Sequence, residues 1–316
     1  MSSTPENGLY QVIGAFLHHL RVLNYASGTL CRTEIYLRHF ALYLENAGLC
    51  DLRSLVKGDL EAYQTFLREE HRPRLKKGRL ADTTVYSRWC TILVFFAFLV
   101  ERGHLLYNPT LHIVRHRGPR RPRRALLTVL EMDRLLSQPR LGTKIGIRDR
   151  AILEVLYATG IRRGELLRLE LFDVDLQEKT LRIRKAKFLK ERVVPLSDVA
   201  VRYLVQYLSD VRPVWLRKNP GEKVLFLSFT GRPLDSSALQ MRVQKYAELS
   251  GIRKKITPHL IRHACATHLL EGGADIFVIQ ELLGHTRVET TQIYARASLE
   301  NLKNVHRNCH PRGKTV

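Results

Sequence analysis

ITPHLIRHACATHLLEGGADIFVIQELLGH, residues 256–285, decides how the rest of the chain is read. Thr257 suits a helix N-cap, and Pro258 is comfortable in the first turn, where a missing N–H costs no hydrogen bond. The helix so begun sets His259 and Arg262 three residues apart on one face, with Leu260, Ile261 and Ala264 covering the other. Two donors suited to a phosphate point one way. The Gly272–Gly273 pair interrupts the pattern, and a second apolar helix runs to Gly284. A lone H-x-x-R is a weak signal, because two solvated or core-satisfied side chains explain so short a pattern in most proteins.

Its neighbours change its weight. Downstream, His285 follows Gly284, and Tyr294 closes a segment containing Thr290 and Thr291. Upstream, YATGIRRGEL (157–166) puts Arg162 just after a Thr-Gly turn, where a helix ends and the backbone can present a side chain. Between the two, TLRIR (180–184) alternates apolar and basic residues and RVVPL (192–196) follows a Lys-rich turn, which predicts an antiparallel hairpin with a basic tip. VLFLS (224–228) is expected to add a strand. The segments from Asp235 to His306 read as helices punctuated by Gly251, Gly272–Gly273 and Gly284. Thr128 and Glu131 form a capping box that opens this half of the chain, and a helix is expected near 163–168.

The first hundred residues are helical in period, with segments near 9–24, 28–47, 57–70 and 82–102. Ser27 and Asp82 are the expected N-caps, and Gly48 and Gly103 the stops. RPRLKKGRL (72–80) reads as a basic loop. VRHRGPRRPRR (114–124) holds arginines 115, 117, 120, 121, 123 and 124 with two prolines and no acid, the composition of an extended linker that could lie along a duplex.

Fifty-two Lys and Arg against 30 Asp and Glu leave a net charge of +22, which points to a polyanionic partner. Phosphate contacts with counterion release make nucleic acid the favoured one, ahead of a membrane surface or mere solubility. The five cysteines are scattered without a CxxC pair, which argues against a disulfide framework. MSSTPENG lacks the character of a leader, and the apolar run 91–100 is too short to span a bilayer, so the expected compartment is the cytoplasm, with association to the nucleoid.

Taken together, these boxes resemble the tyrosine recombinase (phage integrase) family, and most closely its Xer-type members. ATGIRRGELL (158–167) corresponds to the family's first-arginine box, AKFLKERVVPL (186–196) to its lysine hairpin, residues 257–285 to its His-x-x-Arg box and TTQIYAR (290–296) to its nucleophile box. NVHRNCHPRG (304–313) looks like the Xer-type tail. The resemblance implies a multidomain protein: an all-α N-terminal core-binding domain, a SAM-like helical bundle, over 1–113; an Arg-rich linker, 114–124; and a mixed α/β, mainly helical catalytic domain with a small antiparallel sheet, 125–316. Carried over residue by residue, it makes Arg162, Lys187, His259, Arg262, His285 and Tyr294 the catalytic set. Lys185 and Lys190 flank the hairpin lysine, and anchoring on KERVVP selects Lys187. It stands one residue further from Arg162 than in the nearest family pattern, with Ala186 and Phe188 where glycines often stand. Glu165 would support Arg162.

The implied chemistry suits these residue types. Two guanidiniums hold the non-bridging oxygens of a phosphodiester, whose charge grows in the transition state. Tyr294 attacks as nucleophile, with His259 as proton acceptor or orienter and His285 hydrogen-bonding the phosphate. Lys187 would protonate the leaving 5′ oxygen. No metal, ATP or other cofactor is needed. The partners implied are double-stranded DNA and a homo- or hetero-tetramer on two sites, with no membrane. Two other classes fit part of the pattern: a type IB topoisomerase that only relaxes DNA, and a catalytically silent DNA-binding regulator. A zinc site at His306, Cys309 and His310 lacks a fourth ligand and a standard spacing. His263, Cys265 and His268 are expected to pack or to support the His–Arg pair.

Overall fold

The computed structural model describes residues 8–49, 51–69, 79–113, 126–184, 191–284 and 299–313. The chain divides into two compact units, Met1–Arg123 and Arg124–Val316, each with its own apolar core. The Arg-rich segment 114–124 and residues 72–78 of the basic stretch lie outside the described residues.

Among its described residues the first unit has four helices: α1 (Gly8–Val22), α2 (Ser27–Asn46), α3 (Lys57–Glu69) and α4 (Asp82–Glu101). Their periodic apolar positions converge on Phe16, Leu37, Phe40, Leu44, Tyr63, Phe95 and Phe96, all buried, as an amphipathic stripe requires. Two caps differ from expectation. Ala26 and Ala81 occupy the extended N-cap positions and make no side-chain cap bond, so Ser27 and Asp82 are the first helical residues. Asp82 then places its carboxylate in the first turn, where the helix dipole favours it. The apolar run 91–100 belongs to a longer element than it suggests. By length and composition alone α4 could cross a membrane. Its Val85, Trp89, Ile92, Phe95, Phe96 and Leu99 are instead buried in the core of this unit, which accounts for the apolarity.

The described residues of the second unit are mostly helical, with one small sheet. The unit opens with α5 (Val129–Leu136), whose N-cap Thr128 forms the expected reciprocal capping box with Glu131. Next comes α6 (Lys144–Thr159), the central helix, buried along nearly its whole length. After the single turn α7 (Arg163–Leu166), β1 (Val174–Asp175), β2 (Thr180–Ile183) and β3 (Arg192–Pro195) form an antiparallel sheet in that order, with Leu181 opposite Val194 and Ile183 opposite Arg192. Then follow α8 (Asp198–Gln206), α9 (Arg212–Leu216), α10 (Ser236–Leu249), α11 (Pro258–Glu271), α12 (Ile276–Leu283) and α13 (Leu299–Cys309).

The expected strand at 224–228 does not form. Leu225, Phe226 and Leu227 are fully buried, yet only isolated bridges, Glu170 to Val224 and Leu227 to Pro233, involve the segment. Its polar backbone is satisfied in part by scattered main-chain bonds, Leu225 N to Leu169 O, Leu234 N to Phe226 O and Ser228 N to Arg232 O, and otherwise by side chains. Arg212 donates to the carbonyls of Glu222, Val224 and Leu225, Arg148 to that of Leu227, and the Tyr207 hydroxyl bridges Leu225 O and Leu227 N. Apolar content brought the run into the core, and these partners removed the need for a ladder.

Candidate active site

The site is built where two helices end. Helix α6 stops at Gly160, whose backbone is left-handed (φ 58°); α12 stops at Gly284 in the same conformation (φ 66°). Both positions demand glycine for space as well as for dihedral angle. A Cβ on Gly160 would come within 2.6 Å of Leu283 Cδ2, and one on Gly284 within 2.9 Å of Arg192 Nη1. A helix that ends leaves its last carbonyls without intrahelical partners. At α12 three consecutive carbonyls are each taken by a different arginine. Arg192 Nε donates to Leu282 O at 3.0 Å, Arg262 Nη2 to Leu283 O at 2.7 Å, and Arg162 Nη2 to Gly284 O at 2.7 Å. The negative end of the helix dipole favours that gathering of cations.

Arg262 lies on α11, which starts as expected, with Thr257 capping Leu260 N at 3.2 Å and Pro258 in the first turn. Its side chain also donates from Nη1 to Gly160 O at 2.7 Å, so one guanidinium ties the ends of α6 and α12 together. At 8% exposure it is far more buried than the face it was expected to share with exposed His259. Burial first, and then the nearby charge of Arg162, pull its pKa down to about 10, which leaves it cationic at neutral pH.

Arg162 is the N-cap of α7 and is half-buried. Its Nη1 donates to Glu165 Oε1 at 2.9 Å and its backbone N–H to Oε2 at 2.8 Å, so Glu165 supports the arginine from behind, as expected of it. Glu165 has a second cation. Arg192, the first residue of β3, donates from Nη2 to Oε2 at 2.8 Å and from Nη1 to Oε1 at 3.2 Å. Burial alone would raise the Glu165 carboxyl; hydrogen bonds from Arg192 and from the Arg162 backbone outweigh it and hold the pKa at about 2. Four hydrogen bonds on one buried carboxylate make it a fixed anchor.

His259, in the first turn of α11, is exposed by surface area but partly desolvated by its neighbours, and that partial desolvation, then Arg163, Arg262 and Arg162, lower its pKa from the ordinary histidine value. It is therefore neutral at physiological pH and able to accept a proton. The structure thus brings Arg162, Arg262 and His259 into one neighbourhood. Lys187, His285 and Tyr294 lie outside the described residues, in the segments 185–190 and 285–298. The first segment joins β2 to β3 and the second leaves directly from Gly284.

Sequence reasoning missed Arg192. Its signal was slight: a single charged residue opening the short apolar strand RVVPL, inside the same KERVVP string that selects the lysine. The family resemblance implies that the segment after Tyr294 docks on a neighbouring protomer, whereas the described part of the tail packs on α6 of its own chain. On α13 and just beyond it, His306 Nε2 donates to Ala158 O at 2.8 Å and His310 Nε2 to Tyr157 O at 3.0 Å. The Arg312 N–H occupies His310 Nδ1, which fixes the neutral tautomer. The two rings stack 4.7 Å apart. No group of side chains able to hold a metal occurs among the described residues, and these imidazoles are committed to α6. His268 bridges Tyr157 Oη and Leu127 O inside the core, and Cys265 is buried against Gly160, its thiol pushed up to about 12 by burial.

Comparison with known proteins adds to this picture. The profile of the phage integrase family matches residues 126–301. Tyrosine recombinase XerC 2 of Ralstonia nicotianae is 35% identical over 303 residues, covering 96% of this chain and 86% of its own. Tyrosine recombinase XerD of Listeria monocytogenes serotype 4b is 35% identical over 309 residues, covering 95% of this chain and 99% of its own. Among solved structures, the XerH site-specific recombinase bound to a palindromic difH substrate in a post-cleavage complex superposes with a TM-score of 0.67 at 22% identity, covering 89% of this chain and 80% of that one. The Tn1549 transposon integrase in complex with a circular-intermediate DNA gives a TM-score of 0.68 at 18% identity, covering 93% and 97%. At those identities the two structures show a shared fold.

Proposed function

The chain belongs to the phage integrase family, the tyrosine recombinases, and from that premise we infer how its residues carry out site-specific DNA strand transfer. The observation that carries the reading is the pair of arginines fixed by backbone carbonyls at the end of α12. A guanidinium has five N–H donors. Arg162 and Arg262 each show two of theirs engaged with protein groups, which leaves donors on both for the non-bridging oxygens of a scissile phosphate. Positioned cations of this kind stabilise the charge that develops in the transition state without reorganising.

In this scheme Tyr294 attacks the phosphorus. A bond forms from its phenolic oxygen, the bond to the 5′ oxygen of the next nucleotide breaks, and the DNA 3′ end is left as a phosphotyrosine. Neutral His259 takes or orients the tyrosine proton, His285 hydrogen-bonds the phosphate, and Lys187 gives a proton to the leaving 5′ oxygen. The phosphotyrosine conserves the energy of the broken ester, so a 5′ hydroxyl from another strand can reverse the step and rejoin the DNA. No ATP and no metal enter this sequence of steps.

The partner is double-stranded DNA, in keeping with the net charge of +22 and with the DNA complexes among the structures that share the fold. A lambda integrase tetramer on a Holliday junction has the same fold, and we assign this chain the same kind of assembly, a homo- or hetero-tetramer on two sites. Residues 1–113 form the SAM-like core-binding domain, 114–124 the linker that follows the duplex, and 125–316 the catalytic domain. The cytoplasm, at the nucleoid, is the place of action, in multimer resolution or in integration and excision of a mobile element.

The test is product topology. A plasmid carrying two copies of the DNA flanking the gene, incubated with the protein, should yield deletions, inversions or junctions between the copies. Relaxed plasmid alone would mean a topoisomerase, and binding without any product a silent regulator.

A further inference from the structure

We propose that Arg192 is a positioning residue for strand cleavage: by sharing Glu165 with Arg162 it holds the Arg162 guanidinium to a single bond with that carboxylate, which keeps its remaining donors free for the phosphate. The inference rests on the recombinase reading given above and adds a residue to it. Arg192 is poorly placed to meet DNA itself, since its side chain is only 11% exposed and Nε, Nη1 and Nη2 all point inward, to Leu282 O and the two Glu165 oxygens. Its contacts join three pieces of chain that the chemistry must hold in register. Those pieces are the start of β3, which follows the hairpin segment 185–190; the Arg162 turn through Glu165; and the last turn of α12, after which residue 285 follows. Gly284 makes this possible, because a Cβ there would lie 3.0 Å from the Arg192 Cζ.

Left with Arg162 alone, Glu165 would draw that arginine closer. The Glu165 side chain is 4% exposed and is held ionised, so it must be neutralised by what is near. With Arg192 present, each carboxylate oxygen accepts from Arg192, and the Arg162 side chain reaches Glu165 through Nη1 only, its Nη2 going to Gly284 O. Without Arg192, Oε2 keeps the Arg162 backbone N–H but gains room for a second donor from the Arg162 side chain, and the favourable arrangement of a guanidinium on a carboxylate is the two-pronged fork. That fork takes a second donor from the phosphate and turns the plane of the guanidinium. Arg192 therefore acts through Arg162, and its removal should be felt in the chemical step more than in DNA binding.

The test uses the full chain and nicked duplexes drawn from the DNA flanking its gene, with single-turnover formation of the covalent protein–DNA species as the readout. Arg192→Gln should slow cleavage by roughly tenfold or more, the usual cost of losing a group that orients a catalytic one, while the Kd for the same duplex stays within about twofold of wild type. In a protein already carrying Arg162→Lys, adding Arg192→Gln should slow the residual cleavage by less than about twofold, because groups that act through one another are not additive. Arg192→Lys, which keeps a charge on Glu165 and folds with less disturbance, should recover part of the rate. Cleavage by Arg192→Gln at the wild-type rate would overturn the proposal. So would an equal slowing in the wild-type and Arg162→Lys backgrounds, the mark of a general structural defect. Wild-type protein that binds these duplexes and never forms a covalent species would overturn the recombinase reading itself, and this inference with it.

Discussion

The end of α6 is finished by two kinds of donor. The carbonyls of Tyr157 and Ala158 are met by the neutral imidazoles of His310 and His306, whereas that of Gly160, the residue after the helix, is met by the guanidinium of Arg262. The job is the same in both places, since each donor satisfies a carbonyl near the end of a helix. The charge differs. The imidazoles dock the tail without bringing charge into the core, and burial keeps them neutral, with His306 lowered to about 4. A guanidinium stays protonated at any ordinary pH, so where Arg162, Arg192 and Arg262 gather, a single buried carboxylate among the described residues, Glu165, offsets them. Positive charge left in excess and held by backbone is what a phosphate site requires. Neutral donors are sufficient for a docking site, and they can be switched off by acid.

The contrast is sharpest in Arg262→Ala. It removes the tie between α6 and α12 together with the proposed phosphate donor, and the cleavage rate should fall by about 10²- to 10³-fold, as when one preorganised donor is lost from a charge-stabilising site. Single-turnover trapping of covalent DNA measures this, and a loss under about tenfold would mean that Arg262 is only a brace.

His259 crosses the two categories, being a neutral imidazole among the arginines. Its replacement by Gln should cost roughly 10²-fold in cleavage if it handles the tyrosine proton. The sign of its pKa shift gives a second check. Partial desolvation and three arginines lower the pKa, so the neutral base persists below the ordinary histidine value of 6.5, and the acid limb of the pH–rate profile should lie below that value. A limb above pH 6.5, or one that survives in His259→Gln, would remove His259 from the proton path.

At the tail, His306→Ala strands the buried carbonyl of Ala158 and should weaken docking of α13 by about 1–3 kcal/mol, seen as faster hydrogen exchange over residues 299–313 in the DNA-free protein. Acid should do the same. The folded-state pKa of His306 is depressed, so its contribution is complete above pH 6.5 and is lost as pH falls from there through about 4. An α13 whose exchange is unchanged across that window would show that the histidines do not hold the tail. The smallest effect belongs to the chelator. If arginine charge is sufficient for the phosphate, EDTA should change the cleavage rate by less than about twofold, and loss of cleavage restored by magnesium would break the account.

What the sequence disclosed follows from the range of the interactions involved. Local rules found Arg162 after the Thr159–Gly160 turn, the Thr257 cap that starts the His259–Arg262 helix, the Thr128–Glu131 box and the hairpin pairing of 180–183 with 192–195. These depend on residues a few positions apart. Arg192 was hidden because its partners, Glu165 and Leu282, lie far from it in the chain and meet it only in the folded unit. The run 224–228 misled for a related reason. Its apolar content reported burial correctly, but whether buried backbone becomes a strand depends on distant donors, here Arg212, Arg148 and Tyr207. Ser27 and Asp82 missed the caps by one residue, within the latitude of any helix boundary. Lys187, His285 and Tyr294 fall outside the described residues, and their roles stand on the family's motifs.

Covalent trapping shows whether Tyr294 is the nucleophile. Wild-type protein and Tyr294→Phe are each mixed, in EDTA, with nicked duplexes from the DNA flanking the gene, and protein–DNA species that survive SDS are sought. The account predicts a covalent complex with the wild type, joined through Tyr294 to a DNA 3′ phosphate, and none with Tyr294→Phe although that variant binds the same duplex. A covalent complex that persists in Tyr294→Phe would contradict it, as would tight wild-type binding with no covalent species on any duplex.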